Sequence, residues 1–102
     1  DVRNIKVEEF INDYLLDIVT ATREHPDLEV GVSTRGALTF YRALQSQAMV
    51  AGRDYVIPDD VKELSIEVLA HRVQCRSVLR ESQRQRAVTI LEQILQQTAV
   101  PD

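Results

Sequence analysis

Apolar residues recur with the period of an α-helix in four stretches of this chain. In the first stretch, from Val7 to Thr22, adjacent apolar pairs return every four positions, which is typical of a helix with one buried face. This helix should end near Glu24, because Pro26 lacks the amide N–H that a continuing helix needs and disfavours helical backbone in the residue before it. The segment 26–32 is then predicted to be a connector. The apolar residues of the first face are Phe10, Ile11, Tyr14, Leu15, Ile18 and Val19.

The second predicted helix begins after Ser33 and ends near Gly52, a residue suited to the left-handed turn that follows many helices. Apolar side chains occupy most of its length, so we expect a broad buried face. The residues predicted on that face are Ala37, Leu38, Tyr41, Leu44, Gln45 and Ala48.

Two further helices follow. After a short extended run at 53–57, Pro58 suits a first helical position, and the carboxylates of Asp59 and Asp60 complement the positive end of a helix dipole. This third helix should fade near 71–74, and a fourth is predicted from Gln83 to Gln97. Their predicted core residues are Val61, Leu64, Val68 and Leu69 in the third helix and Val88, Leu91, Ile94 and Leu95 in the fourth.

Four helices with short connectors predict an all-α fold, a small four-helix bundle with at most a short extended segment near residues 55–57. A length of 102 residues indicates one domain, and 44% hydrophobic with 27% charged residues is typical of a globular protein. The net charge of -4 gives the chain as a whole no attraction for nucleic acid or for an anionic membrane, so neither is an expected partner. One cysteine and no long apolar run favour a cytoplasmic protein without a membrane span.

The candidate chemistry lies at the start of the second helix. Ser33 is placed to cap that helix by accepting a hydrogen bond from a free backbone N–H, and the other free N–H groups favour an anion. Arg35 adds a planar set of donors that suits a phosphate, and Gly36 beside it should leave the approach open. These residues predict a phosphate-binding position, although an arginine near a helix start is also commonly a solvated surface residue.

Other residues do not assemble a catalytic or metal site. The chain contains no phosphate-binding glycine loop and no nucleophile motif, and His71 with Cys75 supplies only two potential metal ligands. We therefore expect no metal site and no catalysis by this chain alone. An arginine series recurs every fourth residue, which is typical of a nucleic-acid stripe or of a solvated face, and the acidic net charge favours the solvated face. The series is Arg72, Arg76, Arg80 and Arg84.

Four motifs then occur in a recognisable order. They are Ala21–Thr22–Arg23–Glu24–His25–Pro26, Gly31–Val32–Ser33–Thr34–Arg35, the run from Ala51 to Val61, and Val68–Leu69–Ala70–His71–Arg72–Val73. In this order the chain resembles the C-terminal lid domain of MoxR-type AAA+ ATPases. The resemblance implies that residues 1–102 are a helical lid cut from a larger ATPase whose nucleotide-binding core lies outside this sequence, and a first residue other than methionine fits that expectation.

The resemblance also implies a function. The lid of such a protein closes over ATP that is bound, with magnesium, by the core, and it couples hydrolysis to subunit movement in a chaperone-like machine. Arg35 falls on the position called sensor 2, which contacts the γ-phosphate, with Ser33 as the supporting cap. The implied partners are the protein's own core, neighbouring subunits of a hexameric ring, and a protein substrate or a von Willebrand A-type protein.

This chain departs from the family pattern at two positions. Thr34 stands where the family has a proline before the arginine, and Ile57 stands where a threonine usually precedes the third helix. The first change leaves the turn before Arg35 less preset, and the second removes a capping hydroxyl worth about 1 kcal/mol. The alternative function is a helical nucleic-acid-binding or protein–protein adaptor module, which a parent sequence without a phosphate-loop motif would favour.

Overall fold

Four α-helices dominate the computed structural model, which describes residues 2–76 and 82–101. They are α1 (Glu9–Glu24), α2 (Thr34–Val50), α3 (Pro58–Leu69) and α4 (Gln83–Gln97). A short 3₁₀ turn at Val2–Asn4 precedes α1 and packs on α2, while α2 packs on α3, and α4 packs on both α1 and α3. The predicted all-α four-helix fold is confirmed.

The helix ends follow the local sequence. His25 ends α1 in extended backbone, with φ -69° and ψ 128°, as expected for a residue followed by Pro26. Gly52 follows the end of α2 with φ +80°, a conformation that glycine adopts without strain. Pro58 is the first residue of α3, where its missing N–H leaves no hydrogen bond unmade.

The predicted faces of α2 and α4 are correct in part. The predicted residues that are buried are Leu44, Gln45 and Ala48 in α2 and Leu91 and Ile94 in α4. In α2 the fully buried aromatic residue is Phe40, which was not predicted, whereas the predicted Leu38 is 55% exposed. Two residues turn a helix by about 200°, so Leu38 lies opposite Phe40 and cannot share its face. In α4 the buried set includes Ala87 and Ile90, which were also missed.

The predicted face of α1 is correct except at its first residue. Phe10, in the first turn of α1, is 37% exposed. The buried side chains continue instead to the other end of the helix, where Thr22 is wholly buried. They are Ile11, Tyr14, Leu15, Ile18, Val19 and Thr22.

A two-stranded antiparallel sheet was not predicted. Its strands are β1 (Leu28–Val30), inside the segment predicted as a connector, and β2 (Gln74–Cys75), with Leu28 opposite Cys75. Strands of three and two residues are too short to show an alternating pattern in the sequence. The run predicted as extended near 55–57 makes a single isolated bridge, between Tyr55 and Lys6.

A partly buried ion pair holds the corner between α2 and α3. Both guanidinium nitrogens Nη1 and Nη2 of Arg53 donate to the carboxylate of Asp60, at 2.8 and 2.7 Å, and Nη1 also donates to the carbonyl of Tyr55 at 2.8 Å. The same carboxylate accepts a hydrogen bond from the N–H of Ile57 at 3.0 Å. This is the carboxylate half of a capping box, and isoleucine at position 57 cannot supply the hydroxyl half. Asp59 beside it is exposed.

Candidate functional site

The start of α2 is capped by a side chain. Ser33 has extended backbone, and its Oγ accepts a hydrogen bond from the N–H of Gly36 at 3.0 Å. This bond satisfies one of the four N–H groups that an α-helix leaves free at its start. The remaining free groups keep the partial positive charge of this helix end directed away from the helix.

Arg35 lies in the first turn of α2 and is exposed. Its carbonyl accepts a hydrogen bond from Thr39 Oγ1 at 3.0 Å, which is an ordinary contact within the helix. Among residues 2–76 and 82–101, no acceptor forms a hydrogen bond or ion pair with its guanidinium. The structure therefore presents a positive charge at a capped helix start.

The last turn of α1 bonds the backbone of Val32, the residue that precedes the Ser33 cap. The N–H of Val32 donates to Thr22 Oγ1 at 3.0 Å, and the carbonyl of Val32 accepts from Arg23 Nε at 2.8 Å. Thr22 Oγ1 in turn donates to the carbonyl of Val19 at 2.6 Å. Thr22 and Arg23 were not predicted as site residues, and the available signal was a polar Thr22 that continues the buried spacing of α1.

Gly31 and Gly36 are both closely packed, and packing requires glycine at Gly31. A Cβ on Gly31 would lie 2.7 Å from backbone atoms of Thr22 and Arg23, so only glycine allows this approach to α1. A Cβ on Gly36 would lie 3.0 Å from Val32 Cγ1 and 3.4 Å from Arg72 Cδ. Gly36 is buried and faces the protein, so the expectation that it opens the approach to Arg35 is wrong.

An apolar groove adjoins Arg35 between α1 and α2. Leu16 is 45% exposed and Leu38 is 55% exposed. The groove begins at Thr34, the residue before Arg35, and is almost wholly apolar. Its lining residues are Asn12, Leu15, Leu16, Thr34, Ala37, Leu38 and Tyr41.

The arginine series does not lie along one helix. Arg72 follows α3 in a turn, Arg76 follows β2, and Arg84 belongs to α4, while Arg80 lies outside the described residues. Arg76 Nε donates to the carbonyl of Pro26 at 3.0 Å, so this arginine ties the segment after β2 to the segment after α1. The described part of the series therefore contains no continuous helical stripe.

Arg72 lies just beyond the end of α3, where an arginine side chain can neutralise free helix carbonyls. Its backbone N–H does donate to the carbonyl of Leu69 at 2.9 Å. Its side chain packs over Gly36 instead, and Nε is buried without a hydrogen-bond partner.

Metal ligands are not clustered in the described parts of the chain. No group of three His, Cys, Asp or Glu side chains comes together within residues 2–76 and 82–101. Cys75 is buried in β2, and its burial raises the pKa of the thiol. In the same residues, no helix is long and apolar enough to cross a membrane.

The profile of the AAA lid domain matches residues 20–94, which include the last five residues of α1, all of α2 and α3, and most of α4. The chain belongs to the AAA lid domain family. This lid domain is 41% identical over 73 residues to the uncharacterized protein YeaC of Bacillus subtilis, a match that covers 72% of the chain and 23% of YeaC. It is 41% identical over 70 residues to the chaperone MoxR1 of Mycobacterium tuberculosis, covering 60% of the chain and 19% of MoxR1.

The fold of the lid domain has a solved counterpart. A crystal structure of a protein from Cytophaga hutchinsonii, provisionally described as an ATPase, superposes with a TM-score of 0.84 at 27% identity. The match covers 99% of the lid domain and 33% of the solved chain. The lid domain thus spans less than a quarter of the curated relatives and a third of the solved chain.

Proposed function

We propose that residues 1–102 are the C-terminal lid of a MoxR-type AAA+ ATPase and that Arg35 is its sensor 2 residue, which contacts the γ-phosphate of ATP bound to the core. The observation that carries the proposal is the exposed guanidinium of Arg35 at the start of α2, capped by Ser33. A helix start and an arginine both favour a phosphate, so the two features select the same kind of ligand.

Arg35 acts as one part of a composite ATP site. A hydrogen bond to a charged group contributes about 1.5 to 3 kcal/mol, whereas even millimolar binding requires about 4 kcal/mol. The lid therefore neither holds nor hydrolyses ATP by itself. The core supplies the phosphate-binding loop, the magnesium ligands and the base pocket.

The groove between α1 and α2 supports contact with that core. Leu16 and Leu38 present apolar surface next to Arg35, so burying this surface against a core domain would bring the guanidinium to the edge of the nucleotide site. Hydrolysis removes the γ-phosphate and with it the contact to Arg35. Because only differential affinity shifts a conformational equilibrium, this loss changes the angle of the lid and moves the neighbouring subunits of the ring.

The test is Arg35→Ala in the full-length protein. We expect ATP turnover to fall about tenfold, the equivalent of about 1.4 kcal/mol of lost transition-state stabilisation, with the melting temperature unchanged because Arg35 is exposed. Arg42→Ala is the matched control, since Arg42 is another exposed arginine of α2, two turns further along. Normal turnover by the Arg35→Ala protein would show that Arg35 is not the sensor.

A further inference from the structure

We propose that Thr22 and Arg23 are positioning residues for Arg35: they hold Val32, and through it the first turn of α2, in the orientation from which the guanidinium reaches the γ-phosphate. This inference rests on the proposed function of Arg35. Neither residue touches the nucleotide, and both act through the backbone of Val32.

The backbone of Val32 is held at both of its polar groups. Thr22 Oγ1 accepts from its N–H at 3.0 Å, and Arg23 Nε donates to its carbonyl at 2.8 Å. Val32 is 1% exposed and Thr22 is wholly buried, so water does not compete for the bond between them. Two bonds to one residue define both its position and the direction in which the chain leaves it.

Packing carries this constraint into the first turn of α2. The side chain of Val32 lies directly against Gly36, whose absent Cβ would be 3.0 Å from Val32 Cγ1. Gly36 is the neighbour of Arg35, and its N–H bonds to the Ser33 cap. A continuous set of contacts therefore runs from the last turn of α1, through Val32, to the turn that carries Arg35.

Thr34 explains why this turn needs an external support. It occupies the first position of α2, where a proline would fix the backbone angle φ. Threonine allows a wider range of that angle than proline does, so contacts from outside the turn contribute more to its direction. The bonds of Thr22 and Arg23 to Val32 provide them, and losing either bond should spread the guanidinium over more orientations.

The experiment is a double-mutant cycle on ATP turnover by the full-length protein. Thr22→Val keeps the shape of the side chain but leaves the buried N–H of Val32 without its acceptor. We expect kcat to fall about fivefold and ATP binding to weaken with it, while ADP binding stays the same, since the interaction is made with the γ-phosphate that only ATP carries. Thr22→Ser restores the hydroxyl and should recover kcat. In an Arg35→Ala background, Thr22→Val should cause no further loss.

A second variant keeps the test decisive if Thr22→Val does not fold. Arg23→Met removes the donor to Val32 from an exposed side chain and should also lower kcat only while Arg35 is present. Arg76→Met is its control, because Arg76 Nε donates to the carbonyl of Pro26 away from α2. Thr98→Val is the control for Thr22, since Thr98 Oγ1 donates to a helix carbonyl at the end of α4.

The outcomes separate the two proposals. An equal loss of kcat from Thr22→Val or Arg23→Met with and without Arg35 would mean a general structural role and would overturn the positioning role. Unchanged kcat in both variants would overturn it as well, while a loss caused by Arg35→Ala alone would leave the sensor role of Arg35 intact. Unchanged kcat in Arg35→Ala would overturn both proposals.

Discussion

Two arginines stand at opposite ends of α2 in contrasting surroundings. Arg53, just after the helix, donates to both oxygens of the Asp60 carboxylate and to the carbonyl of Tyr55, and its guanidinium lies 5.9 Å from the centre of the Tyr55 ring. Arg35, in the first turn, is exposed and bonds through its side chain to no described residue. A guanidinium whose donors are used inside the fold stabilises the fold, and one whose donors are unused is available to a ligand.

The surroundings of each arginine decide this difference. Asp60, in the first turn of α3, is 2% exposed, and its carboxylate accepts hydrogen bonds from Arg53 and from the N–H of Ile57, so its charge is balanced where it is buried. The contacts around Arg35 are made by backbone groups and by the hydroxyls of Ser33 and Thr39, which stabilise the turn without bonding the guanidinium. The end of α2 near Arg53 is therefore tested by measuring stability, and the end that carries Arg35 by measuring ATP binding.

The largest effect on stability is expected from Asp60→Ala. This change removes the partner of Arg53 and the cap at Ile57, and should lower the free energy of unfolding by roughly 2 to 3 kcal/mol. Urea denaturation followed by circular dichroism measures it. Asp59→Ala is the matched control, an exposed carboxylate in the same turn, with an expected change within about 0.5 kcal/mol. Equal effects of the two changes would remove the contrast between the two ends of α2.

A smaller loss of stability is expected when Asp60 is protonated at low pH. Burial alone would raise the pKa of Asp60, but the hydrogen bonds from Arg53 and Ile57 and the charge of Arg53 outweigh it, so the pKa lies below its usual value. Stabilisation by Asp60 is then complete above the unfolded-state pKa of about 3.9 and is lost as the pH falls through the lower folded-state pKa. Melting temperatures between pH 7 and pH 2.5 should fall less steeply for Asp60→Asn than for the unchanged protein. Parallel curves would contradict this assignment.

The smallest effect is expected at a buried polar group that lacks a partner. The hydroxyl of Tyr14 is buried with no hydrogen-bond partner among the described residues, and burial raises its pKa. Burying the Tyr14 hydroxyl without a hydrogen bond costs free energy. Tyr14→Phe removes that cost, so the free energy of unfolding should stay the same or rise by up to about 1 kcal/mol. A loss above about 1 kcal/mol in urea denaturation would reveal a bond to this hydroxyl. Phe40→Tyr is not equivalent, because it adds a hydroxyl to a filled core.

The sequence predicted the positions of the helices well and their buried faces less well. The predicted bounds of α4, Gln83 to Gln97, match the structure, and the proline and glycine signals correctly marked the ends of α1 and α2. The face of α2 was predicted correctly in its second half but not at Leu38 and Phe40, because apolar residues occur on several sides of that helix and periodicity alone did not separate these two. The short strands escaped prediction because their pairing joins residues more than forty positions apart.

The candidate site also contains residues that the sequence identified and residues that only the fold revealed. Ser33 and Arg35 were identified because capping and anion binding depend on residues that are neighbours in the chain. Thr22 and Arg23 were recognised only as part of a motif. Their bonds join them to Val32, which lies ten and nine positions further along the chain, and a pattern of neighbouring residues does not reveal such bonds. Asp60 was predicted as a helix-end carboxylate, which is correct, but its pairing with Arg53 became evident only from the folded corner.

Discrimination between ATP and ADP tests the role of Arg35 most directly. Equilibrium dissociation constants for both nucleotides should be measured with the full-length protein, unchanged and as Arg35→Ala, with Arg42→Ala as the control. We expect Arg35→Ala to weaken ATP binding about tenfold while ADP binding changes less than about twofold, because only ATP carries the phosphate that Arg35 contacts. An ATP to ADP ratio that is the same with and without the Arg35 side chain would contradict the proposal that this exposed arginine senses the γ-phosphate.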